Sequence, residues 1–460
     1  MFLKKYKSPG LAHLSYMTGS ADAAVVIDPR RDCDIYIRDA HREGMRITHI
    51  FETHRNEDYV IGSTELSRKT GAAIFHGEGM DFTYGESVKD GDCFDIGNLS
   101  FQILQTPGHT MESISIALYD PAFSQEDAVG VFTGDALFIG DVGRTDFFPD
   151  RKEEVAEMLY ESIHEKLLPL GEQVILYPAH GAGSVCGSGM AKREFSTLGY
   201  EKRNNPRLQM ERDEFIRFKV HENHYIPPYF SQMEDYNKNG SPDLGRMPDP
   251  PPVGAAEFAD GMEKGMIALD IRSPEAFAGC YIPGSYSIPE NMIPAFAGYY
   301  FSYDKDIGII TPDYETARKA VTHLVRIGYD NIRCVLIDAM KLWETSGRDY
   351  DSIGTLYAGD LQEWIEAEKD FTLLDVRSID EYNEEHLPSA THVYAGHLED
   401  KLDELDIPKD QPVVTFCGSG RRAIIAASIL KMNGYTEVYD SLGSMAACRE
   451  AGCEMVGSER

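Results

Sequence analysis

The sequence is poor in positive charge. It has 44 Lys and Arg residues against 76 Asp and Glu residues, which gives a formal net charge of −32 at pH 7. Binding to nucleic acid needs clustered Lys and Arg that face phosphates, and attraction to an anionic membrane surface needs the same residues. We therefore expect neither nucleic acid nor a membrane as a partner.

Long apolar runs and a cysteine framework are missing as well. No stretch approaches the roughly 20 apolar residues of a membrane-spanning helix, and the N-terminal MFLKKYKSPGLAHLSYMTG lacks the apolar centre of a signal peptide. The eight cysteines are not closely spaced as in disulfide-rich domains, which is typical of a reducing compartment. These absences predict a cytoplasmic protein.

The sequence does contain enough apolar material for several folded cores. Hydrophobic residues make up 42% of the chain, and its 460 residues correspond to about three domains. Residues 1–205 alternate short β-like runs with amphipathic helical stretches, which predicts a mixed α/β domain. Residues 206–252 end in three consecutive prolines that cannot continue a helix, and we predict an extension and linker there.

The C-terminal part contains an internal repeat. LDIRSPEAFAGCYIPGS (269–285) matches LDVRSIDEYNEEHLPSA (374–390), with Asp270 and Asp375 at an offset of 105 residues. A repeat of this size indicates two copies of one α/β domain. We place the copies at 253–352 and 353–460.

Potential metal ligands follow β-like runs in residues 1–205. His54 lies in THRNEDY (53–59), and His109, Asp135 and His180 lie in TPGHT, TGDALF and YPAHG. The ends of strands in an α/β sheet are where side chains meet to form a site. One histidine at such a place is more often structural, but four groups at successive strand ends indicate a metal site.

The order of these motifs resembles the metallo-β-lactamase fold, an αββα sandwich with ligands from T-H-x-H-x-D-H, Gly-His, Gly-Asp and a final His. This chain has Asn56 and Tyr59 where the pattern has histidines, so a dinuclear zinc hydrolase is not expected. The remaining His54, His109 and Asp135 resemble the iron site of the persulfide dioxygenase branch, and such a facial triad leaves coordination positions open. The resemblance implies one Fe(II) per chain, with Zn as the alternative.

The same resemblance assigns roles to neighbouring residues. TGDALFIGDVGRTDF (133–147) is close to the persulfide dioxygenase branch and implies that Arg144 contacts an anionic part of the substrate, with a structural ion pair as the alternative. Asp58 and His180 would orient ligands or waters beside the metal. Tyr59 would pack or hydrogen-bond near it.

The repeated pattern resembles the rhodanese domain. In the second copy a strand-like QPVVTF (411–416) leads into CGSGRR (417–422) and a helical run. Backbone N–H groups and a helix N-terminus stabilise a thiolate and a persulfide anion, so Cys417 is the candidate sulfur carrier. Its loop consists of Gly418, Ser419 and Gly420, and the following Arg421 and Arg422 add positive charge for an anionic sulfur donor, with Arg422 assigned to the catalytic set.

The first copy has Thr311 at the position of Cys417, within TPDYET (311–316). A hydroxyl group cannot carry sulfane sulfur. We therefore predict that residues 253–352 form a catalytically inactive rhodanese-like domain.

The whole chain resembles the persulfide dioxygenase–rhodanese fusions. The resemblance implies oxidation of a low-molecular-weight thiol persulfide by O2 to sulfite, with Cys417 transferring sulfur to form or use thiosulfate in sulfide and persulfide detoxification. It also implies a homo-oligomer. Two alternatives remain open: a mononuclear zinc thioester hydrolase of the glyoxalase-II type, and a sulfurtransferase whose lactamase-fold domain is a scaffold without catalysis.

Overall fold

The computed structural model of the protein describes residues 1–184, 187 and 189–457. The chain forms two compact units, one of Met1–Met247 with Val325–Gly328 and one of Pro248–Leu324 with Tyr329–Arg460. Cys186 lies outside the described residues. Each unit has its own sheets and its own apolar core.

The first unit is built on two six-stranded sheets. The first sheet has the order β1-β2-β3-β4-β5-β6 and consists of β1 (Phe2–Ser8), β2 (His13–Ser20), β3 (Ala23–Ile27), β4 (Arg46–Phe51), β5 (Ala73–Gly77) and β6 (Glu86–Val88). The second has the order β12-β11-β10-β9-β8-β7 and consists of β7 (Cys93–Ile96), β8 (Leu99–Gln105), β9 (Ile114–Tyr119), β10 (Gly130–Gly134), β11 (Ile175–Pro178) and β12 (Ser196–Thr197).

Apolar residues on both faces of each sheet create four layers. Along β3, Val25 and Ile27 join Phe101 and Phe132 in a core between the sheets, while the alternating residue Val26 packs on the helix side. The helices are α1 (Asp34–Arg42) and α2 (Ser63–Thr70) outside the first sheet, and α3 (Lys152–Glu161), α4 (Leu198–Asn204), α5 (Arg212–His221) and α6 (Phe230–Asn239) later in the chain. Together with the outer core on α3 to α5, this confirms the predicted αββα sandwich.

The strand directions bring the candidate ligands to one edge of the second sheet. Strand β9 is antiparallel to both β8 and β10, and β10 is parallel to β11. Strands β8, β10 and β11 therefore run the same way, and their carboxyl ends meet. His109, Asp135 and His180 follow these three strands.

Residues 206–252 are largely helical. They contain α5 and α6, and the first unit extends to Met247. Buried Phe215 packs into the same core as Leu159 of α3. The extension therefore folds with the first unit for most of its length.

The second unit contains two parallel sheets, one of four strands and one of five. The first has the order β14-β13-β15-β16 and consists of β13 (Ile267–Asp270), β14 (Ser285–Ser287), β15 (Ile307–Thr311) and β16 (Ile332–Ile337). The second has the order β17-β21-β20-β18-β19 and consists of β17 (Gly354–Leu356), β18 (Thr372–Asp375), β19 (Thr391–His392), β20 (Val413–Phe416) and β21 (Val438–Ser441).

Helices connect the strands of both sheets, as parallel pairing requires. They are α7 (Ala255–Glu263), α8 (Pro274–Gly279), α9 (Ile293–Tyr300), α10 (Tyr314–Arg326), α11 (Ala339–Thr345), α12 (Ala358–Glu366), α13 (Ile379–Glu384), α14 (Leu398–Lys401), α15 (Arg421–Met432) and α16 (Ser444–Ala451).

The two copies share a buried ion pair that supports the repeat. Arg272 Nη2 donates to Asp270 Oδ2 at 2.6 Å, and Arg377 Nη2 donates to Asp375 Oδ2 at the same distance. Both aspartates are fully buried at the end of equivalent strands.

Helix α15 lies between the two copies. It packs against β20 and β21 of its own sheet and against β14 and α8 of the first copy. Residues Ala423–Leu430 are all buried, and Ser287 N donates to Ser428 Oγ at 3.1 Å. An α-helix buried on all sides needs cover beyond its own sheet.

Among the described helices, none combines the length and apolar character needed to cross a membrane.

Candidate metal centre and sulfur-transfer loop

His54, His109 and Asp135 come together in the first unit. One ligand atom of each lies within 4.8 Å of the others, and all three residues are buried. The Nε2 atoms of His54 and His109 lie 3.7 Å and 3.5 Å from Asp135 Oδ2. The structure therefore assembles the predicted metal-binding set.

Hydrogen bonds fix the orientation of both imidazoles. His109 Nδ1 donates to the carbonyl oxygen of Arg144 at 2.9 Å. His54 Nδ1 lies 2.9 Å from Thr53 Oγ1, and this hydroxyl donates to Asp28 Oδ2 at 2.7 Å, so it accepts from His54. With a proton on each Nδ1, the Nε2 lone pair of each neutral ring faces Asp135.

A divalent metal ion fits this donor set. In residues 1–184, 187 and 189–457, His54 Nε2, His109 Nε2 and Asp135 Oδ2 are buried without a hydrogen-bond partner, which is costly unless a cation lies among them. Burial opposes charge on His109, yet nearby carboxylates outweigh it and raise the pKa of His109. Two imidazoles and a carboxylate suit Fe(II) or Zn(II).

His180 lies between two carboxylates. Its Nδ1 is 2.7 Å from Asp135 Oδ1, and its Nε2 is 3.1 Å from Asp58 Oδ2. Burial lowers the pKa of His180, but Asp135 and Asp58 outweigh this and raise it well above the ordinary value. The imidazole thus fills the space between Asp58 and Asp135 and contacts the Asp135 carboxylate. The predicted role of His180 and Asp58 in orienting ligands beside a metal stays a prediction.

Asn56 and Tyr59 do not extend the donor set. Asn56 Nδ2 donates to the carbonyl oxygen of His54 at 3.1 Å. The Tyr59 ring packs 4.0 Å from the His13 ring, between centroids, and is fully buried. Tyr59 therefore packs near the site, one of the two roles predicted for it.

Arg144 is held in an ion pair. Its Nε and Nη2 atoms donate to both carboxylate oxygens of Asp146 at 2.7 Å, and Nη1 donates to the carbonyl oxygen of Tyr225 at 3.2 Å. The side chain is fully buried, and the guanidinium lies 4.8 Å from the Phe147 ring centroid. This is the alternative role from the sequence, and the predicted substrate contact stays a prediction.

Cys417 stands at the N-terminal end of α15. It directly follows β20, and Gly420 N donates to Cys417 Sγ at 3.1 Å. Cys417 N donates to Ser444 Oγ at 3.1 Å. Gly420 has a φ of 91°, in the left-handed region that favours glycine. The loop Cys417–Gly420 thus directs a backbone N–H and the helix dipole at the sulfur.

Similarity to known families follows the division into units. Residues 9–180 match the metallo-beta-lactamase superfamily, and residues 254–346 and 357–451 match the rhodanese-like domain. The crystal structure of a metallo-beta-lactamase from Staphylococcus aureus subsp. aureus COL is 32% identical, with a TM-score of 0.66, and covers 73% of this chain and 99% of that one. This chain belongs to the metallo-beta-lactamase superfamily and carries two rhodanese-like domains. The expected fusion architecture is confirmed.

Curated relatives match part of this chain. Persulfide dioxygenase ETHE1, mitochondrial, of Bos taurus is 29% identical over 236 residues, which are 47% of this chain and 80% of that protein. Hydroxyacylglutathione hydrolase GloC of Haemophilus influenzae is 28% identical over 207 residues, which are 40% of this chain and 87% of that protein.

Arg422 of the fusion protein is bound by a residue that the sequence reasoning missed. Its Nη1 and Nη2 donate to Glu381 Oε2 and Oε1 at 2.6 and 2.7 Å. Burial raises the pKa of Glu381, but the Arg422 guanidinium outweighs it and holds this pKa at about 2. The positive charge expected at Arg422 is therefore paired, while Arg421 is exposed. In the sequence, the position of Glu381 within the repeated motif (374–390) was the signal that could have pointed to this ion pair.

Glu57 was also missed. Its Oε2 lies 3.6 Å from His109 Nε2, and its Oε1 accepts from Arg55 Nη2 at 3.2 Å. Burial raises the pKa of Glu57, but the nearby His109 and Arg55 outweigh it and hold the pKa at about 2. The signal in the sequence was an acidic residue within the THRNEDY motif, directly after β4 and close to His54.

Asn237 was missed because it lies far from the metal motif in sequence. Its Nδ2 donates to the carbonyl oxygens of Asn56 and Tyr59 at 2.6 and 2.8 Å, and its Oδ1 accepts from Ile61 N at 2.9 Å. It is fully buried on α6. The helical extension thus holds the loop that carries His54.

The first rhodanese-like copy has the fold without the sulfur carrier. Thr311 Oγ1 donates to the carbonyl oxygen of Asp313 at 2.8 Å, and the Asp313 carboxylate accepts from Thr316 N at 2.8 Å. The position equivalent to Cys417 therefore holds a hydroxyl that is bonded to a backbone carbonyl oxygen.

Proposed function

We propose that the lactamase-fold domain is an iron-dependent dioxygenase. It oxidises the outer sulfur of a low-molecular-weight thiol persulfide with O2, and hydrolysis then releases sulfite and the free thiol. The observation that carries this proposal is the buried set of His54, His109 and Asp135, with His180 beside it. Similarity to persulfide dioxygenase ETHE1 supports the substrate class. Asn56 and Tyr59 in place of two histidines favour one metal ion per chain.

The chain's own residues orient and enclose the reacting groups. Bound to this set, Fe(II) would supply open coordination positions for the persulfide and O2, and would pass electrons from the oxidised sulfur to O2. Arg144 and Thr53 hold the two imidazoles through their Nδ1 atoms, and His180 holds Asp135. Burial of these groups excludes bulk water from the centre.

We further propose that Cys417 transfers sulfane sulfur. Its thiolate attacks the outer sulfur of thiosulfate, sulfite leaves, and Cys417 carries a persulfide; the reverse reaction joins sulfite from the first domain to sulfur and forms thiosulfate. The Gly420 N–H and the N-terminus of α15 stabilise the anionic sulfur. Linking the two activities in one chain keeps sulfite near its next catalyst and suits sulfide and persulfide detoxification.

Other properties remain predictions from the sequence. These are the iron content of one per chain, a homo-oligomer, a cytoplasmic location and a substrate contact by Arg144.

A zinc thioester hydrolase is the second candidate, because the hydroxyacylglutathione hydrolase GloC is also similar to the first domain. Oxygen uptake separates the two functions. The full chain is loaded anaerobically with Fe(II) or with Zn(II), then supplied with glutathione persulfide or with a glutathione thioester. We expect oxygen uptake and sulfite only with Fe(II) and the persulfide. Thioester hydrolysis by the Zn(II) form, with no oxygen uptake by the Fe(II) form supplied with the persulfide, would contradict the proposal.

Two variants assign the activities to their sites. Asp135→Asn removes a metal ligand, so it should abolish oxygen uptake and leave sulfur transfer from thiosulfate intact. Cys417→Ser should do the reverse with a preformed persulfide as substrate. If Cys417→Ser abolishes both activities, the first domain is a scaffold and not an oxygenase.

A further inference from the structure

Two cysteines meet at the C-terminal end of α16. Gly452 ends the helix with a φ of 75°, in the left-handed region that favours glycine. Its N–H donates to the carbonyl oxygen of Arg449 at 3.3 Å, and Cys453 N donates to that of Cys448 at 3.0 Å. These two bonds form a Schellman motif, in which the side chains at the positions of Cys448 and Cys453 come into contact. Both cysteines are buried in the same apolar core.

The backbone geometry allows a disulfide between these two residues. A carbonyl oxygen lies about 2.4 Å from its own Cα, and an amide nitrogen lies about 1.5 Å from its own Cα. Across the 3.0 Å hydrogen bond, the Cα atoms of Cys448 and Cys453 are therefore at most about 6.9 Å apart, and any bend in the path shortens this distance. Disulfides join Cα atoms that are about 4.4–6.8 Å apart. The thiols are also neighbours, because burial, and after it the adjoining Cys453 thiol, raises the pKa of Cys448 to about 12.

We propose that Cys448 and Cys453 are a redox-active pair, which a low-molecular-weight disulfide oxidises to a reversible disulfide bond that locks the end of α16. In reducing compartments, reversible disulfides of this kind serve redox sensing. The inference goes beyond the two proposed activities and requires neither of them.

The reaction consists of two thiol–disulfide exchanges. Cys453 attacks one sulfur of the disulfide R–S–S–R as a thiolate; the S–S bond breaks, and one R–SH leaves with the proton that Cys453 lost. Cys448 then gives up its proton and attacks the sulfur of Cys453, and the second R–SH leaves. The pair is oxidised by two electrons, and R–S–S–R is reduced by the same two.

Cys453 is the thiol that reacts first. It is 9% exposed, whereas Cys448 is fully buried and is kept protonated by its raised pKa. The segment after Cys453 is held by two backbone hydrogen bonds between His386 and Val456, of 2.7 and 2.8 Å. Local opening of this short bridge exposes Cys453 while the sheet stays folded. Cys448 then attacks from within the same turn, at a high effective concentration.

The other end of α16 holds the sulfur-transfer loop. Met445 N and Ala446 N donate to the carbonyl oxygens of Cys417 and Gly418, each at 3.0 Å. Because the helix has only eight residues, a cross-link at its last turn restricts the movement of its first turn. The disulfide therefore steadies the backbone that supports Cys417.

Peptide mapping of the full chain tests the pair. The native chain is incubated with enough oxidised glutathione to modify the exposed Cys93, free thiols are alkylated in urea, and the protein is digested with trypsin without reduction. Trypsin cuts after Arg449, between the two cysteines. We expect peptide 432–449 linked to peptide 450–460, and loss of this product on reduction. Alkylated Cys448 and Cys453, or a bond from either of them to another cysteine, would overturn the proposal.

Unfolding and amide hydrogen exchange test the lock. Oxidation should raise the midpoint of urea unfolding, because a cross-link restricts the unfolded chain, and it should slow exchange of the Met445 and Ala446 amides. Cys453→Ser cannot form the bond, so neither measurement should respond to oxidised glutathione. Cys93→Ser is the matched control and should keep the full response. A disulfide that forms but leaves both measurements unchanged would show that it does not lock α16.

Discussion

At the scale of single residues, Arg144 and Arg422 share one arrangement. Each guanidinium is held by both oxygens of one carboxylate, Asp146 or Glu381. A bidentate pair fixes the plane of the guanidinium and lowers its attraction for other anions. These arginine side chains are therefore held in fixed positions. A substrate anion would have to compete with the Asp146 or Glu381 carboxylate for the guanidinium.

The Glu381–Arg422 pair makes the second unit sensitive to acid. The folded pKa of Glu381 is about 2, below its ordinary value, so the stabilisation is fully present above the ordinary pKa and is lost as the pH falls toward 2. Glu381→Gln should lower the free energy of unfolding by about 1 kcal/mol at pH 7, since the pair is partly exposed. The difference from the unaltered chain should shrink as the pH falls from about 5 to about 2.

Urea unfolding followed by tryptophan fluorescence measures this effect. The chain has two tryptophans, Trp343 and Trp364, and both lie in the second unit, so the signal reports that unit. Glu363→Gln, at an exposed carboxylate on α12, is the control and should show a smaller pH-dependent difference. A constant deficit for Glu381→Gln at all pH values would show that charge is not the cause.

At the scale of secondary-structure elements, the loop between β4 and α2 depends on a distant helix. The loop carries His54, Glu57 and Asp58, and Asn237 of α6 binds its backbone at three points. Loops have few backbone hydrogen bonds of their own, so such a side chain supplies the rigidity that ligand geometry requires. The segment after residue 205 is therefore part of the metal site's support.

Removal of the Asn237 amide should loosen this loop. Asn237→Ala leaves the buried N–H of Ile61 without its acceptor and two carbonyls without their donor, and should destabilise the first unit by about 2 kcal/mol. Amide hydrogen exchange should rise over residues 56–61, with reduced metal retention. Asn239→Ala is the matched control, because the Asn239 amide donates to Asp235 Oδ1 on the same helix and not to the loop. Equal exchange rates in both variants would refute the role of Asn237.

At the scale of the whole molecule, residues in short local motifs could be predicted from the sequence, but partners far apart in sequence could not. His54, His109, Asp135 and Cys417 could be predicted because each follows a strand within a short motif. The repeat could be predicted because residues 269–285 and 374–390 align without a gap. Asn237, Glu381 and Glu57 depend on contacts that folding creates, such as the one between Asn237 and Ile61, 176 residues apart in sequence. The ion pair between Arg144 and Asp146 likewise depends on side-chain orientations that only the folded structure shows.

The first rhodanese-like copy should be required for the stability of the second. A fragment of residues 353–460 would expose the face of α15 that packs on β14 and α8, and apolar surface of that extent favours aggregation. We expect it to aggregate and lose sulfur transfer, while residues 253–460 stay folded and active. Size-exclusion chromatography and a thiosulfate assay measure both. A monomeric, active 353–460 fragment would contradict this.

Helix α15 also has a consequence for synthesis. The first copy and its strand β14 leave the ribosome before residues 421–432, because they precede them in the chain. Domains made earlier fold first, so the surface that will cover Ala423–Leu430 is already in place when this apolar helix emerges. The first copy thus provides a folded surface on which the helix of the second copy packs as it emerges. Reversing the order of the two copies would remove that protection during translation.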